Sequence, residues 1–282
     1  MLTSLSIHPF PPMETPLKLA FSTCPNDTFM FGAWVNGLVQ GPQAELEVTL
    51  ADIQELNLLA AQAKPDVVKV SFAAYAQLRD TYTLLDSGAA LGRGVGPLLV
   101  AREPLKREDL AQAKIGIPGR NTTANLLLSF YAPEANKRQE MRFDQIMPAV
   151  QAGELDAGLI IHESRFTYPE YGLQKLVDLG DYWEEQTELP IPLGGILART
   201  SLGPSRIQHL EKTLRDSISY AFTLPDKVMP YVRQHAQEMD EEVMRKHIDL
   251  YVNPYSISLE AEGRKAVKEL VEVAEATPGR LD

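Results

Sequence analysis

Residues 18–34 read KLAFSTCPNDTFMFGAW, and residues 114–132 read KIGIPGRNTTANLLLSFYA. Each opens on a lysine and a short apolar run, passes through a polar turn, and closes on a longer apolar stretch. That pattern predicts strand, loop, helix, twice over. With the two lysines aligned, Asn26 and Asp27 fall beside Thr122 and Thr123. A second matched pair follows. IQELNLLAAQAKPDVVKVSFAAYAQL (residues 53–78) predicts a helix, a Lys-Pro break, a strand after Asp66 and another helix. FDQIMPAVQAGELDAGLIIHESRF (residues 143–166) predicts a helix, a Gly-containing break and a strand after Asp156. Ser71 and His162 then stand at matching strand ends, to within one residue.

Strands alternating with helices predict parallel sheets with crossover helices. Two such halves predict an α/β protein of two lobes. GPLLVAR (residues 96–102) and PLGGILAR (residues 192–199) resemble each other and read as two crossing strands that carry the chain into the second lobe and back. The expected division is residues 16–101 plus 195–282 for lobe one, with residues 102–194 inserted as lobe two. Residues 1–15 read as a mobile tail. After Ser201 the pattern is mostly helical, with apolar residues spaced by three and four and with Pro225, Pro230 and Pro254 as punctuation.

Composition removes several function classes. The net charge of −11 gives no concentrated basic surface for nucleic acid. No apolar run approaches the ~20 residues of a membrane span. The opening MLTSLSIHPFPPMETP has no basic n-region, sustained apolar stretch or small-residue cleavage site, so the expected location is the cytoplasm. One cysteine, Cys24, excludes an intrachain disulfide and a multi-cysteine metal site. The histidines are scattered, and His235 and His247 lack metal-ligand spacing. No metal and no cofactor are expected. The glycine-rich SGAALGRGVGPLL leads into a strand rather than a helix and fails both dinucleotide and P-loop fingerprints.

In open α/β sheets, ligands sit beyond the carboxyl ends of the strands. Ser22, Asn26, Asp27, Ser71, Thr122, Thr123 and His162 all fall there. Two facing lobes would bring them to one interlobe cleft. Each has a plain structural alternative. Thr122 and Thr123 open a helix, where an anion site and an ordinary cap share one sequence. Asn26 or Asp27 can cap a helix starting at Thr28. Cys24 reads as a small buried apolar residue rather than a nucleophile. Lys69 interrupts an apolar strand, and either meets an anion in the cleft or reaches solvent at the strand end. His162 ends the run LII and can carry a proton either way near neutral pH. Glu163 is not assigned as its partner, because adjacent side chains on an extended segment point apart.

Together STCPNDTFMF, KVSFAAYAQLRD, SGAALGRGVGPLLVAR, PGRNTTA and GLIIHESRFTYPEYGL resemble the 1,4-dihydroxy-6-naphthoate synthase family of the futalosine-dependent route to menaquinone. The resemblance covers about Leu17 to Ser256. It implies a two-lobed fold like a type II periplasmic solute-binding protein. It also implies a lyase that converts cyclic dehypoxanthinylfutalosine, a small-molecule carboxylate, to 1,4-dihydroxy-6-naphthoate. By motif, His162 is the implied acid/base, while Thr122, Thr123 and the Lys69-Val70-Ser71 segment line the pocket. Thr23 departs from the family's usual proline. Arg93, Arg120 and Arg165 are all candidates for the substrate carboxylate. Two rival readings share the fold: a solute-binding protein of an uptake system, and a chorismate dehydratase of the same pathway. The lack of an export signal weighs against the first, and HESRFTYP against the second. Oligomeric state is not legible.

Overall fold

The computed structural model describes residues 15–236 and 240–277. The expected mobile tail lies almost wholly outside the described residues. In the first half, β1 (Leu17–Phe21), α1 (Pro25–Val35), β2 (Leu46–Leu50), α2 (Ile53–Ala61), β3 (Val67–Ser71), α3 (Phe72–Leu78), β4 (Tyr82–Leu84) and β5 (Ala90–Gly92) follow one another. The second half contains β6 (Leu98–Ala101), β7 (Ile115–Ile117), α4 (Thr123–Tyr131), β8 (Arg138–Glu140), α5 (Phe143–Ala152), β9 (Ala157–Ile160), α6 (Ser164–Thr167), β10 (Gln174–Asp178) and α7 (Leu179–Thr187). The chain returns through β11 (Ile191–Arg199). It ends in α8 (Pro204–Thr223), α9 (Pro225–His235), α10 (Glu241–Tyr251), α11 (Pro254–Ile257) and α12 (Glu260–Glu275).

The two sheets have one plan. The first runs β2-β1-β3-β11-β4, with β5 also on β11; the second runs β8-β7-β9-β6-β10. In each, three parallel strands are followed by a crossing strand that is antiparallel to both its neighbours. The sequence repeat survives in the hydrogen bonds. Asp66 accepts the Lys18 amide at 3.0 Å and Asp156 accepts the Lys114 amide at 2.7 Å. Both aspartates return their own N–H to the same lysine's carbonyl. The aspartate before each strand therefore fixes its register on the neighbour, which explains why two unlike apolar runs end at the same height.

The crossing segments differ from the expected division. Leu98–Ala101, assigned above to lobe one, pair with β9 and β10 in the second sheet. Ile191–Gly194, assigned to lobe two, pair with β5 and β3 in the first. Each crossing strand completes the sheet of the lobe it is entering, so both boundaries move by a few residues toward the N-terminus. The passage is tight: Gly96 and Gly180 lie so close that a Cβ on Gly96 would sit 2.2 Å from the Gly180 nitrogen. Arg165 ties the same passage down through the Gly94 and Gly96 carbonyls and the Asp178 carboxylate.

Apolar residues of both lobes form the core. Phe21, Phe31, Trp34, Leu214 and Val228 pack α1 against α8 and α9, while Leu99, Ile115, Leu127, Leu159 and Trp183 fill the second lobe. Among the described residues, no helix is long and apolar enough to cross a membrane.

Candidate functional site

A cavity lies between the lobes. Asn26, Asp27, Lys69, Ser71, Thr122, Thr123 and His162 all line it, and so does Ser22. Val70 does not. Side chains alternate along a strand, so Lys69 and Ser71 face the cavity while Val70 turns the other way. It packs with Ala20, Leu56 and Tyr82, fully buried.

The first lobe supplies a charged wall. Lys69 Nζ meets Asp27 Oδ1 at 2.9 Å, with side chains 5 % and 2 % exposed. Asp27 also accepts the Ser22 hydroxyl at 2.7 Å and the Asn26 amide at 2.9 Å. Neither Asn26 nor Asp27 is a cap, because α1 starts earlier than expected, at Pro25, with Cys24 at the N-cap. Proline suits the first helical position, where an N–H is not needed. Burial pushes the Cys24 thiol well up from its ordinary value, and the Glu163 charge adds to it, which suits an inert thiol.

Ser71 donates its own N–H to Asn57 Oδ1 at 2.9 Å, and its hydroxyl oxygen accepts from Asn57 Nδ2 at 3.3 Å. Among the described residues the hydroxyl proton has no acceptor. The threonines are different. Thr122 Oγ1 accepts the Asn125 N–H as an N-cap and donates to the Gly119 carbonyl. Thr123 Oγ1 donates to the Leu193 carbonyl at 2.7 Å and accepts the Ala73 N–H at 3.3 Å. Thr122 is thus a cap, and Thr123 joins the lobes. Asn57 donates to the Asn121 carbonyl at 3.0 Å, and Asn121 N–H to Gln54 Oε1 at 3.2 Å, adding further ties across the cleft. What α4 offers a ligand is its first-turn N–H groups, beside Thr122, Thr123 and Ala124 in the cavity wall.

His162 comes from the second lobe, just past β9. Its φ is +57°, a left-handed conformation uncommon outside glycine. Ring contacts hold it: Phe143 edge-on at 5.2 Å and His247 at 6.1 Å and 28°. Among the described residues no hydrogen bond occupies its ring nitrogens. Burial, chiefly, lowers its pKa from 6.5 to about 4; Lys69 adds to the effect, and Asp27 and Asp52 oppose it. The imidazole is therefore neutral at pH 7, with a lone pair to offer.

None of the three candidate arginines lines the cavity. Arg93 engages Glu184 and Glu262, Arg120 lies near Glu140, and Arg165 holds the crossing. Lys69 is the one cationic side chain among the described lining residues. Two further groups escaped sequence reading. Tyr251 lines the cavity and His247 lies behind it. Met244, His247, Ile248 and Tyr251 form the buried face of α10. Their spacing of three and four was the available signal: a histidine at such a position points inward.

Two lobes of matched topology, enclosing at their strand ends a cavity in which polar groups stand among apolar ones such as Ile53, Val95, Ile161 and Leu193, define a protein of the periplasmic-binding-protein-like fold class. A Candida albicans protein described as having the generic periplasmic binding protein fold is similar over 93% of this chain and 91% of its own, at 14% identity and a TM-score of 0.68. A crystal structure from Archaeoglobus fulgidus is similar at 38% identity and a TM-score of 0.87, covering 93% and 97% of the two chains. The menaquinone biosynthesis family model matches residues 17–276, and the chain belongs to that family. A Thermus thermophilus relative named 1,4-dihydroxy-6-naphthoate synthase is 51% identical over 92% of this chain and 94% of its own.

Proposed function

We propose that the protein is a carbon–carbon lyase that converts cyclic dehypoxanthinylfutalosine to 1,4-dihydroxy-6-naphthoate and a small sugar-derived fragment, with His162 as general acid/base. One observation carries this reading. A neutral imidazole, with no hydrogen bond from its ring among the described residues, lines the same cleft as the Lys69 ammonium of the other lobe and the opening turn of α4 on its own.

Cleavage of a carbon–carbon bond next to a carbonyl needs a proton removed and a developing oxyanion held. His162 takes the proton; a positioned base contributes ~10²–10⁴-fold. The ammonium of Lys69 has three donors and Asp27 takes one, which leaves two for the oxyanion or the carboxylate. The Ser71 hydroxyl and the first N–H groups of α4 complete the anion-holding set. Thr122 and Thr123 act here through the backbone they fix rather than through their hydroxyls. Formation of an aromatic ring favours the product side.

The test is an assay of purified protein with the cyclic futalosine derivative, following naphthoate absorbance. His162→Ala is expected to keep its fold and lose ~10²–10⁴-fold in turnover. Near-normal turnover in that variant would refute the role of His162. Tight binding without turnover would favour a solute-binding protein, and dehydration of chorismate would favour the other pathway enzyme.

A further inference from the structure

One buried titratable side chain has no part in that scheme. His247 of α10 is wholly inaccessible to solvent. Its Nε2 lies 2.9 Å from Asn26 Oδ1. The Asn26 amide nitrogen donates to Asp27 Oδ1 at 2.9 Å, so the amide oxygen must be the end facing His247. An oxygen accepts; Nε2 therefore carries the proton and donates it. Nδ1 bears the lone pair, has no hydrogen-bond partner, and lies 3.8 Å from Glu163 Oε2. Burial holds the ring's pKa well below its ordinary value, helped by His162 and Lys69, so the ring is neutral.

A buried histidine that merely filled a core would need one satisfied edge and apolar neighbours. His247 instead touches both halves of the working cleft. Its edge holds the residue next to Asp27, in the first lobe. Its face lies against His162, from the second, with Tyr251 tilted at 4.7 Å on its own helix. We propose that His247 is a positioning residue. Its Nε2–H fixes the Asn26 carboxamide, Asn26 fixes the Asp27 carboxylate against Lys69, and the ring backs the His162 imidazole. The inference rests on the reading of Lys69 and His162 as working groups. Without the Nε2 donor, the Asn26 amide is free to turn over. Its oxygen would then face Asp27, the carboxylate would lose a donor, and the Lys69 ammonium would shift with it.

The groups facing His247 are Asn26 and Asp27 of α1, Lys69 of β3, Glu163 and His162 of the second lobe, and Tyr251 of α10. The first test uses ligand-free, ¹⁵N-labelled protein and long-range proton–nitrogen spectra. These should show His247 protonated at Nε2 and not at Nδ1 from pH 6 to pH 8. The opposite tautomer would overturn the proposal. The second compares His247→Leu with His247→Gln, whose amide keeps an N–H donor. Losing one buried hydrogen bond of ordinary worth should lower kcat/KM about tenfold in His247→Leu, and His247→Gln should recover to within about threefold of the parent. The acid limb of the pH profile should move in the leucine variant alone. Equal activity in the two variants, or a lower melting temperature with unchanged kcat/KM in His247→Leu, would mean a packing role and end the idea. A parent protein without turnover sinks the proposed reaction, while the spectra still decide the hydrogen-bond arrangement.

Discussion

Replacing Asp27 by asparagine isolates the electrostatics of the cleft from its chemistry. Asp27 and Lys69 are a buried ion pair at 2.9 Å. Both charges have left water, so removing one partner of such a pair costs about 3–5 kcal/mol. The two ends are not equal. Without Lys69, the Asp27 carboxylate keeps the Ser22 hydroxyl at 2.7 Å, the Ser22 N–H at 3.3 Å and the Asn26 amide at 2.9 Å. With asparagine at position 27, Lys69 keeps at most a neutral amide acceptor and loses its one counter-charge among the described residues. Asp27→Asn should therefore fall near the upper figure and Lys69→Met near the lower. For a chain of this length roughly 2 °C of melting temperature is lost per kcal/mol, giving drops of roughly 10 °C and 6 °C. The double variant removes both charges and should return to within about 1–2 kcal/mol of the parent. Thermal and urea unfolding followed by circular dichroism complete the cycle. A drop below about 2 °C for Asp27→Asn, or a double variant no more stable than the worse single one, would show that the pair is not buried as described.

The depressed histidines make stability depend on pH in a definite direction. His162 has a folded pKa of about 4 against an ordinary 6.5, so between those values the unfolded chain binds a proton that the folded chain refuses. Its contribution is whole above pH 6.5 and is lost as the pH falls toward 4, at up to ~1.4 kcal/mol per pH unit, and His247 acts in the same sense. Urea melts across that range check this; flat stability would contradict it. In kinetics, the acid limb of kcat/KM should lie near pH 4 rather than 6.5, and that of kcat higher, because a bound carboxylate favours the imidazolium. Thr123→Val removes the hydroxyl that serves the Leu193 carbonyl and the Ala73 N–H across the lobes. It should cost about 1–3 kcal/mol and give a larger radius of gyration by X-ray scattering; unchanged scattering would deny Thr123 its part in closure. Gly96→Ala sets a Cβ against the Gly180 backbone, which cannot swing aside as a side chain can. It should destabilise by more than the ~1 kcal/mol expected for Gly172→Ala, a left-handed glycine facing open space.

Much of this was legible because the chain states its plan twice. The two lysines and the two aspartates that bind their amides set equivalent strands at equivalent heights. Polar residues at the ends of those strands then had to converge. Two local signals went unused: the period of two along a strand sets Val70 apart from Lys69 and Ser71, although the motif resemblance groups all three as pocket lining, and proline at the first helical position starts α1 at Pro25 rather than at the expected Thr28. What was not legible depends on pairing between distant segments. No local pattern says that Leu98–Ala101 will join the second sheet, or that Leu193 will offer its carbonyl to Thr123. His247 lies 221 residues from Asn26, and their hydrogen bond exists only once α10 packs on α1.

The matched halves also show where the symmetry is broken, and the proposed base stands at that point. Ser71 and His162 occupy nearly corresponding places, Ser71 as the last residue of β3 and His162 just past β9. At Ser71 the backbone stays extended, with φ −67° and ψ 143°, and leads directly into α3. At His162 it turns left-handed, which costs about 1–2 kcal/mol for a residue with a Cβ. Glycine or asparagine would take that turn more easily. A bulky ring is held there instead, between Phe143 and His247, with no hydrogen bond to its nitrogens among the described residues. Strain of this kind persists only where the surroundings over-determine it, and it clusters at working sites. The first lobe thus fixes charge with an ordinary strand end, and the second spends conformational energy to aim an imidazole across the gap. The difference between two otherwise equivalent positions supports His162 more strongly than its place in a motif does.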